Sequence, residues 1–340
     1  MSTERLRVGV IGCAAIAARR MLPALVDSPD VEVTAIASRD PAKARRFAER
    51  FGGAAVEGYE RLLERPDVDA VYVPLPALMH ADWIERALRA GKHVLSEKPL
   101  ATTRKDAEDL VALAAARDLV LLESFMFLTH GQHQVVRDKV AQGAIGTLRH
   151  LTAEFAFPAK SSDDIRYRPD VGGGALTDIG VYPIRTALMY LGSDLEVVGS
   201  WLHFDQDRGV DLGGSALIGA PDGATAHLSF GMEHSYRSQY ALWGSHGRIS
   251  VGWAYTPPPT HSTVIRIEQQ DRVEEITLPP EDQFANVVSA FVARVRHAVP
   301  SGLEGESVVG QADLVDRVRA QALLRPSPTR TRTETLGYPS

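Results

Sequence analysis

Between Arg7 and Ser124, short apolar runs alternate with stretches whose apolar residues recur at helical spacing, and few architectures accommodate that order. Runs at 7–11, 31–37, 69–73, 92–95 and 119–122 read as strands, while 16–27, 41–51, 59–64, 80–90 and 104–116 read as helices. Strands separated by helices pair in parallel, with the helices lying over the faces of the sheet. Val31-Glu32-Val33-Thr34-Ala35-Ile36-Ala37 and Ala70-Val71-Tyr72-Val73 are too apolar to have one wet face, as expected of strands covered on both sides. The expectation is a doubly wound α/β domain, a parallel sheet of Rossmann type, over residues 1–125.

The pattern changes after about residue 145. Long alternating segments at 147–157, 196–206, 213–219, 224–232, 237–243, 247–252, 262–269 and 272–278 follow one another, several joined by Gly- or Pro-bearing turns. Such a run predicts a large, mostly antiparallel open sheet. Helices are expected at 175–191, stopped by Gly192, and at 284–299 and 307–323. This gives an α+β domain over 126–324, followed by a tail, 325–340, that has no apolar period and is expected to fray.

A chain of 340 residues exceeds the size at which one core stops growing, consistent with two domains. Its net charge of −6 and lack of a basic stripe argue against nucleic acid as a partner. The single cysteine, Cys13, rules out an intrachain disulfide framework and fits a reducing cytoplasm. No apolar run reaches membrane-spanning length, and Met1 to Arg7 lack the features of a signal peptide, so a soluble cytoplasmic protein is expected. His130 and His133 lack an accompanying carboxylate at metal-ligand spacing, and no metal is expected.

Three segments carry chemistry. Val8-Gly9-Val10-Ile11-Gly12-Cys13-Ala14-Ala15-Ile16-Ala17 is a strand that turns on Gly12 and opens a helix, where a dinucleotide pyrophosphate meets backbone amides. Ala14 replaces the second glycine of the usual fingerprint, and Ala17 is the small residue for helix packing. Ser38-Arg39 ends the second strand; a hydroxyl and a guanidinium there suit a 2′-phosphate better than a carboxylate would, favouring NADP(H) over NAD. In Gly172-Gly173-Gly174-Ala175-Leu176-Thr177-Asp178-Ile179-Gly180-Val181-Tyr182, Asp178 and Tyr182 are four apart and share a helical face, although Asp178 could equally cap the helix. Finally, Gly91-Lys92-His93-Val94-Leu95-Ser96-Glu97-Lys98-Pro99 places a lysine beyond a buried strand, where ligands of open α/β sheets bind. Pro99 holds Lys98 in extended backbone.

Together these segments resemble the glucose-fructose oxidoreductase / inositol dehydrogenase family, over residues 7 to about 323. Within it the chain looks most like the sugar 3-ketoreductases of deoxysugar antibiotic biosynthesis, through Gly12-Cys13-Ala14, Val56-Glu57-Gly58-Tyr59, Val73-Pro74-Leu75-Pro76, Asp164-Ile165-Arg166-Tyr167, Phe230-Gly231-Met232-Glu233-His234 and Tyr255-Thr256-Pro257-Pro258. Ala15 departs from the aspartate often found there. The resemblance implies NADPH-dependent reduction of carbon 3 of a nucleotide-linked diketo-dideoxyhexose, with Lys98 and Tyr182 flanking the carbonyl. It also implies that Gly12, Cys13, Ala14, Ala15, Ile16, Ala17, Ala18, Arg19, Ser38, Arg39, Tyr59, Leu75, His80, Glu97, Arg166 and Asp178 line the cofactor. Arg20, Tyr236 and Thr256 are then expected to touch the substrate. The ammonium of Lys98 is expected to lower the pKa of the Tyr182 phenol. A homodimer or homotetramer joined through the open sheet is expected. Oxidation of a free sugar or trans-dihydrodiol, and non-catalytic dinucleotide sensing, are the alternatives; retention of both Lys98 and Tyr182 speaks against the sensor.

Overall fold

The computed structural model describes residues 4–297 and 302–326. The first sheet is built from β1 (Leu6–Ile11), β2 (Val31–Ser38), β3 (Ala54–Glu57), β4 (Ala70–Val73), β5 (His93–Glu97) and β6 (Leu121–Ser124). All of its neighbours pair in parallel, in the order β3-β2-β1-β4-β5-β6. That order reverses direction between β1 and β4, and the crevice at the carboxyl ends of the strands there is the usual ligand position of such a sheet. Its connections carry α1 (Leu22–Asp27), α2 (Pro41–Phe51), α3 (Tyr59–Leu63), α4 (His80–Arg89) and α5 (Arg104–Ala116). Strand β3 was not anticipated from sequence: of its four residues only Val56 is buried, too little for a periodic signal.

After α6 (Gly131–Ala141) and β7 (Leu148–Phe157) come α7 (Val181–Leu191), β8 (Glu196–Asp205), β9 (Val210–Gly219), β10 (Thr225–Met232), β11 (Arg237–Gly244), β12 (Gly247–Gly252), β13 (Val264–Gln269) and β14 (Arg272–Thr277). The chain then forms α8 (Gln283–His297), α9 (Gly302–Ala320) and β15 (Ala322–Pro326). The second sheet runs β14-β13-β12-β11-β7-β10-β9-β8-β15. It is antiparallel except where β10 meets β7 and β15 meets β8. Helix α6, also missed, begins on His130-Gly131-Gln132-His133, whose polar side chains are buried and so defeat an apolar-periodicity reading.

The carboxyl end differs from the sequence reading in three ways. Helix α9 starts earlier than expected, at Gly302, and residues 322 and 323, read as helix, are strand. Arg325 and Pro326, assigned to the frayed tail, pair with His203 and Phe204 of β8; the rest of that tail and positions 298 and 299 lie outside the described residues. Parallel pairing with a distant strand leaves no local trace in sequence. Val308 and Ala312 of α9 join the apolar cluster over one face of the first sheet, while the cluster on the other face continues into the core of the second.

Register sets the two faces of the second sheet. Leu202, Ala216, Leu228, Leu151 and Leu242 are buried on the face covered by α7. Pairing places Trp201, Leu217, Trp243 and Leu323 on the opposite face, where all four side chains are exposed.

Candidate active site

Lys98 follows the last residue of β5, and the Lys98–Pro99 peptide is cis. Lys98 Nζ donates to the carbonyl oxygen of Asp178 at 2.6 Å and to its Oδ1 at 2.8 Å, and stands 5.3 Å from the centre of the Tyr182 ring. The lysine thus lies between the two residues expected to share a helical face. Asp178 sits in a π-helical turn, Leu176–Gly180, that runs directly into α7; such wide turns recur at functional sites. Leu176 N at its start donates to Asp211 Oδ2 at 2.6 Å. A Cβ on Gly173 would fall 2.6 Å from the Arg166 carbonyl oxygen, so only glycine lets the chain enter this turn so close to its neighbour.

Asp178 is a bridge between two cations and makes no cap. Its Oδ2 accepts from Arg166 Nε at 2.6 Å, and Arg166 Nη1 donates to Asp164 Oδ1 at 3.1 Å. Burial is the largest single influence on Asp178 and pushes its pKa up, but Lys98 and Arg166 together hold the carboxyl well below the usual range.

Tyr182 is 3% exposed. Its ring meets Phe155 at 4.9 Å, Phe125 at 5.1 Å, Tyr255 at 5.4 Å and Phe127 at 5.7 Å, and its hydroxyl donates to Met126 Sδ at 3.7 Å. The expectation that Lys98 lowers its pKa is overturned. Burial dominates and raises the phenol well above its ordinary value, with Glu97 and Asp178 pushing the same way. The ammonium's charge is already matched by the Asp178 carboxylate, so the phenol keeps its proton.

A second connection, its charged side chains largely buried, ties the two residues together from behind. Leu100 N, two residues past Lys98, donates to Glu123 Oε1 at 2.7 Å. Glu123 Oε2 accepts from Arg185 Nη2, one turn beyond Tyr182 on α7, and Arg185 Nε donates to Gln311 of α9. The Arg185 guanidinium lies 4.9 Å from the centre of the Phe125 ring. Sequence reading missed this set, although a lone carboxylate in Leu121-Leu122-Glu123-Ser124 was a usable signal, because buried charges are retained when they are paired.

At the carboxyl end of β1, Gly12 adopts φ +112°, and a Cβ there would lie 2.8 Å from Leu75 Cδ2. Ala14 is half-buried, Ala15 exposed, and the helix opening at Ala15 widens into a π-helical turn over Ala17–Met21. Arg19 Nε donates back to the Ala15 carbonyl at 3.3 Å, and Arg20 beside it is exposed. Cys13 is buried, and burial pushes its thiol up to about 11, which leaves it unreactive.

Ser38 accepts from Asp40 N at 3.1 Å, and the charge of the exposed Arg39 partly offsets the burial that raises the pKa of the Tyr59 hydroxyl. Glu97 is buried and accepts from the Tyr72 hydroxyl at 2.7 Å, leaving Lys98 to Asp178. His80 is also buried; its Nδ1 lies 2.7 Å from the Pro99 carbonyl oxygen and its Nε2 2.7 Å from that of Leu75. It therefore ties the loop after β4 to the loop after Lys98. Arg166 is brought to the same cleft by Asp178, whereas Tyr236 and Thr256 form a separate pair, their hydroxyls 2.8 Å apart.

A strand-end glycine with no room for a side chain, an opening helix and a Ser-Arg pair at the next strand suit a dinucleotide phosphate and a 2′-phosphate. Among the described residues no group of three His, Cys, Asp or Glu could hold a metal ion. His133 sits between the Tyr240 hydroxyl and the Ala254 carbonyl, each at 2.9 Å, and His130 lies 3.4 Å from Glu281.

Residues 6–125 match the oxidoreductase family with an NAD-binding Rossmann fold, and residues 133–250 match the GFO/IDH/MocA C-terminal domain. The chain is 56% identical, over 317 residues, to a dTDP-3,4-didehydro-2,6-dideoxy-alpha-D-glucose 3-reductase of Actinomadura kijaniata, covering 93% of this chain and 96% of that one. It is 53% identical over 319 residues to a reductase of the same description from Saccharopolyspora spinosa, covering 92% and 96%. A more distant relative, a D-xylose 1-dehydrogenase (NADP(+)) of Haloferax volcanii, is 31% identical over 316 residues, covering 92% and 96%. The crystal structure of a 3-ketoreductase from Actinomadura kijaniata in complex with NADP and TDP-benzene matches with a TM-score of 0.93 at 54% identity, covering 96% of this chain and 100% of that one. With both halves matched and near-complete relatives above half identity, this chain belongs to the GFO/IDH/MocA family of oxidoreductases.

Proposed function

We propose that this chain is an NADPH-dependent sugar 3-ketoreductase. Its substrate on this reading is dTDP-3,4-didehydro-2,6-dideoxy-α-D-glucose and its product dTDP-4-dehydro-2,6-dideoxy-α-D-glucose, in deoxysugar and antibiotic biosynthesis. The observation that carries the reading is the meeting of Lys98, Asp178 and Tyr182 at the carboxyl edge of the first sheet, in a chain with the relatives just described.

NADPH, when bound, supplies the hydride. Gly12 to Arg19 would hold its pyrophosphate, Ser38 and Arg39 its 2′-phosphate, and Tyr59, Leu75, His80, Glu97, Arg166 and Asp178 the rest of its wall. Reduction builds negative charge on the C3 oxygen, and a directed ammonium stabilises that charge. We assign this role, and the immediate proton donation, to Lys98, with Asp178 fixing its direction. Tyr182 keeps its proton because burial disfavours the phenolate, so it serves as a hydrogen-bond donor to the same oxygen. Arg20 would contact the nucleotide diphosphate, for which a guanidinium offers paired donors, and Tyr236 and Thr256 would touch the same substrate.

The exposed face bearing Trp201, Leu217, Trp243 and Leu323 would join copies of the chain into a dimer or tetramer. Light scattering at micromolar concentration should give a multiple of the 37.0 kDa chain mass, and a monomer would refute this. Among the described residues no helix is long and apolar enough to cross a membrane; a cytoplasmic location belongs to the proposal. A panel of thymidine-diphosphate keto-sugars against free pentoses and diols, read by NADPH absorbance, tests the substrate class; turnover confined to the free sugars would sink it.

A further inference from the structure

Three aromatic rings stand together at the end of the second sheet nearest the catalytic tyrosine, and the reduction chemistry uses none of them. Phe155, whose ring meets Tyr182, pairs in β7 with Ser238 of β11. The Ser238 carbonyl accepts from Ala254 N at 3.0 Å, and its Oγ accepts from Tyr255 N at 3.0 Å. The segment after β12 therefore starts directly behind Tyr182 and runs outward. Tyr236 and Trp253 flank this junction with ring centres 5.1 Å apart, and His261 lies 5.0 Å from Trp253. Tyr236 is 41% exposed and Trp253 39%.

The backbone marks Trp253 independently. It adopts φ +52°, a left-handed conformation that is an outlier for a bulky residue and persists only where its surroundings over-determine it. They do so here. Gln132 Nε2, fully buried, donates to the Trp253 and Ala254 carbonyls at 3.3 Å each, and His133 Nε2 donates to the Ala254 carbonyl at 2.9 Å. A strained backbone thus holds a large flat ring against solvent, beside the paired hydroxyls of Tyr236 and Thr256.

We infer that Trp253, supported by Tyr236 and His261, is the stacking wall for the pyrimidine base of a nucleoside diphosphate-linked substrate. An exposed ring face that costs strain to present is suited to a planar aromatic ligand with polar edges. Base stacking on an aromatic side chain, removed by substitution, weakens binding by about tenfold or more. This inference rests on the nucleotide-sugar reading above and assigns a residue to its base subsite.

The test is calorimetric titration of the full chain with TDP, TMP and NADPH, with indole fluorescence recorded in parallel. Trp253→Gly removes the ring and also relaxes the left-handed backbone, so it should not lower the thermal midpoint. It should weaken TDP and TMP alike by about tenfold or more while NADPH affinity stays within twofold, roughly the scatter expected for an untouched site. Trp253→Phe, which keeps a ring, should retain most of the affinity, and TDP should quench indole emission in the wild type but far less in this variant. If Trp253→Gly binds TDP as tightly as the wild type, the stacking wall is refuted while the nucleotide-sugar reading stands. If the wild type itself does not bind TDP, that reading fails and takes the inference with it.

Discussion

The two sheets bring opposite kinds of group to one cleft. The first contributes a cation at a strand end, half-buried and matched by the Asp178 carboxylate; the second carries α7 on its face, and with it a phenol sunk among Phe125, Phe127, Phe155 and Tyr255. Charge on the first side is directed, because Asp178 gives the ammonium a fixed position. Protonation on the second side is locked, because the aromatic nest raises the cost of a phenolate. This difference is what the proposed roles rest on, proton delivery by Lys98 and hydrogen-bonding support by Tyr182, since adjacency in the cleft alone would not separate them.

Removing each member should break that symmetry unequally. Lys98→Met should lower kcat by about 10²–10⁴, the usual contribution of a general acid, with NADPH affinity intact by fluorescence titration. Tyr182→Phe, which deletes one hydrogen bond to the developing charge, should lose less. Near-normal turnover in Lys98→Met, or the greater loss in Tyr182→Phe, would reverse the roles.

The next effect concerns the buried connection between the two sides. Removing one partner of a buried ion pair costs about 3–5 kcal/mol because the other charge is left stranded. Glu123→Gln and Arg185→Met should each lower the urea midpoint strongly, and the double variant should be less damaged than the sum of the two. Additive losses would show that Glu123 and Arg185 do not act as a pair.

A smaller swing is expected at the cofactor edge. Arg39→Glu places a carboxylate where the 2′-phosphate is proposed to lie, and should weaken NADPH by about tenfold or more, the cost of a lost charged hydrogen bond plus repulsion, while sparing NADH. Equal losses for the two cofactors would remove Ser38 and Arg39 from the 2′-phosphate site.

The smallest effect is on pH dependence. The Asp178 carboxyl is depressed in the folded chain, so the stability it contributes is fully present above its unfolded value of about 4 and is lost as pH falls through the lower folded value. The stability difference between the wild type and Asp178→Asn, followed by urea denaturation, should therefore be constant from neutrality to about pH 5 and shrink in more acid solution. A difference that grew on acidification would contradict the bridge between Lys98 and Arg166.

The same contrast explains what sequence made legible. The first side is written locally: the turn at Gly12, the Ser38-Arg39 pair and the Glu97-Lys98-Pro99 strand end each lie in a few consecutive residues. The spacing of Asp178 and Tyr182 also survives in the structure, since Lys98 reaches both. The Glu123–Arg185 pair and the Asp211 contact to Leu176 join residues 62 and 35 positions apart, the aromatic nest draws its rings from several separate segments, and no periodicity encodes such meetings. The pKa of Tyr182 was misjudged for the same reason: the adjacent lysine could be anticipated from motifs, but the burial that outweighs it is set by four rings from distant segments. Helix α6 escapes a periodicity reading because its buried start is polar, and strand β15 because its partner β8, not its own pattern, makes it regular.

The central claim is most directly tested by incubating the chain with NADPH and enzymatically generated dTDP-3,4-didehydro-2,6-dideoxy-α-D-glucose, and reading the product by NMR. The account predicts NADPH consumption and a new carbinol proton at carbon 3, with the carbon 4 ketone retained. Reduction at carbon 4, or no NADPH consumption with this sugar, would contradict it.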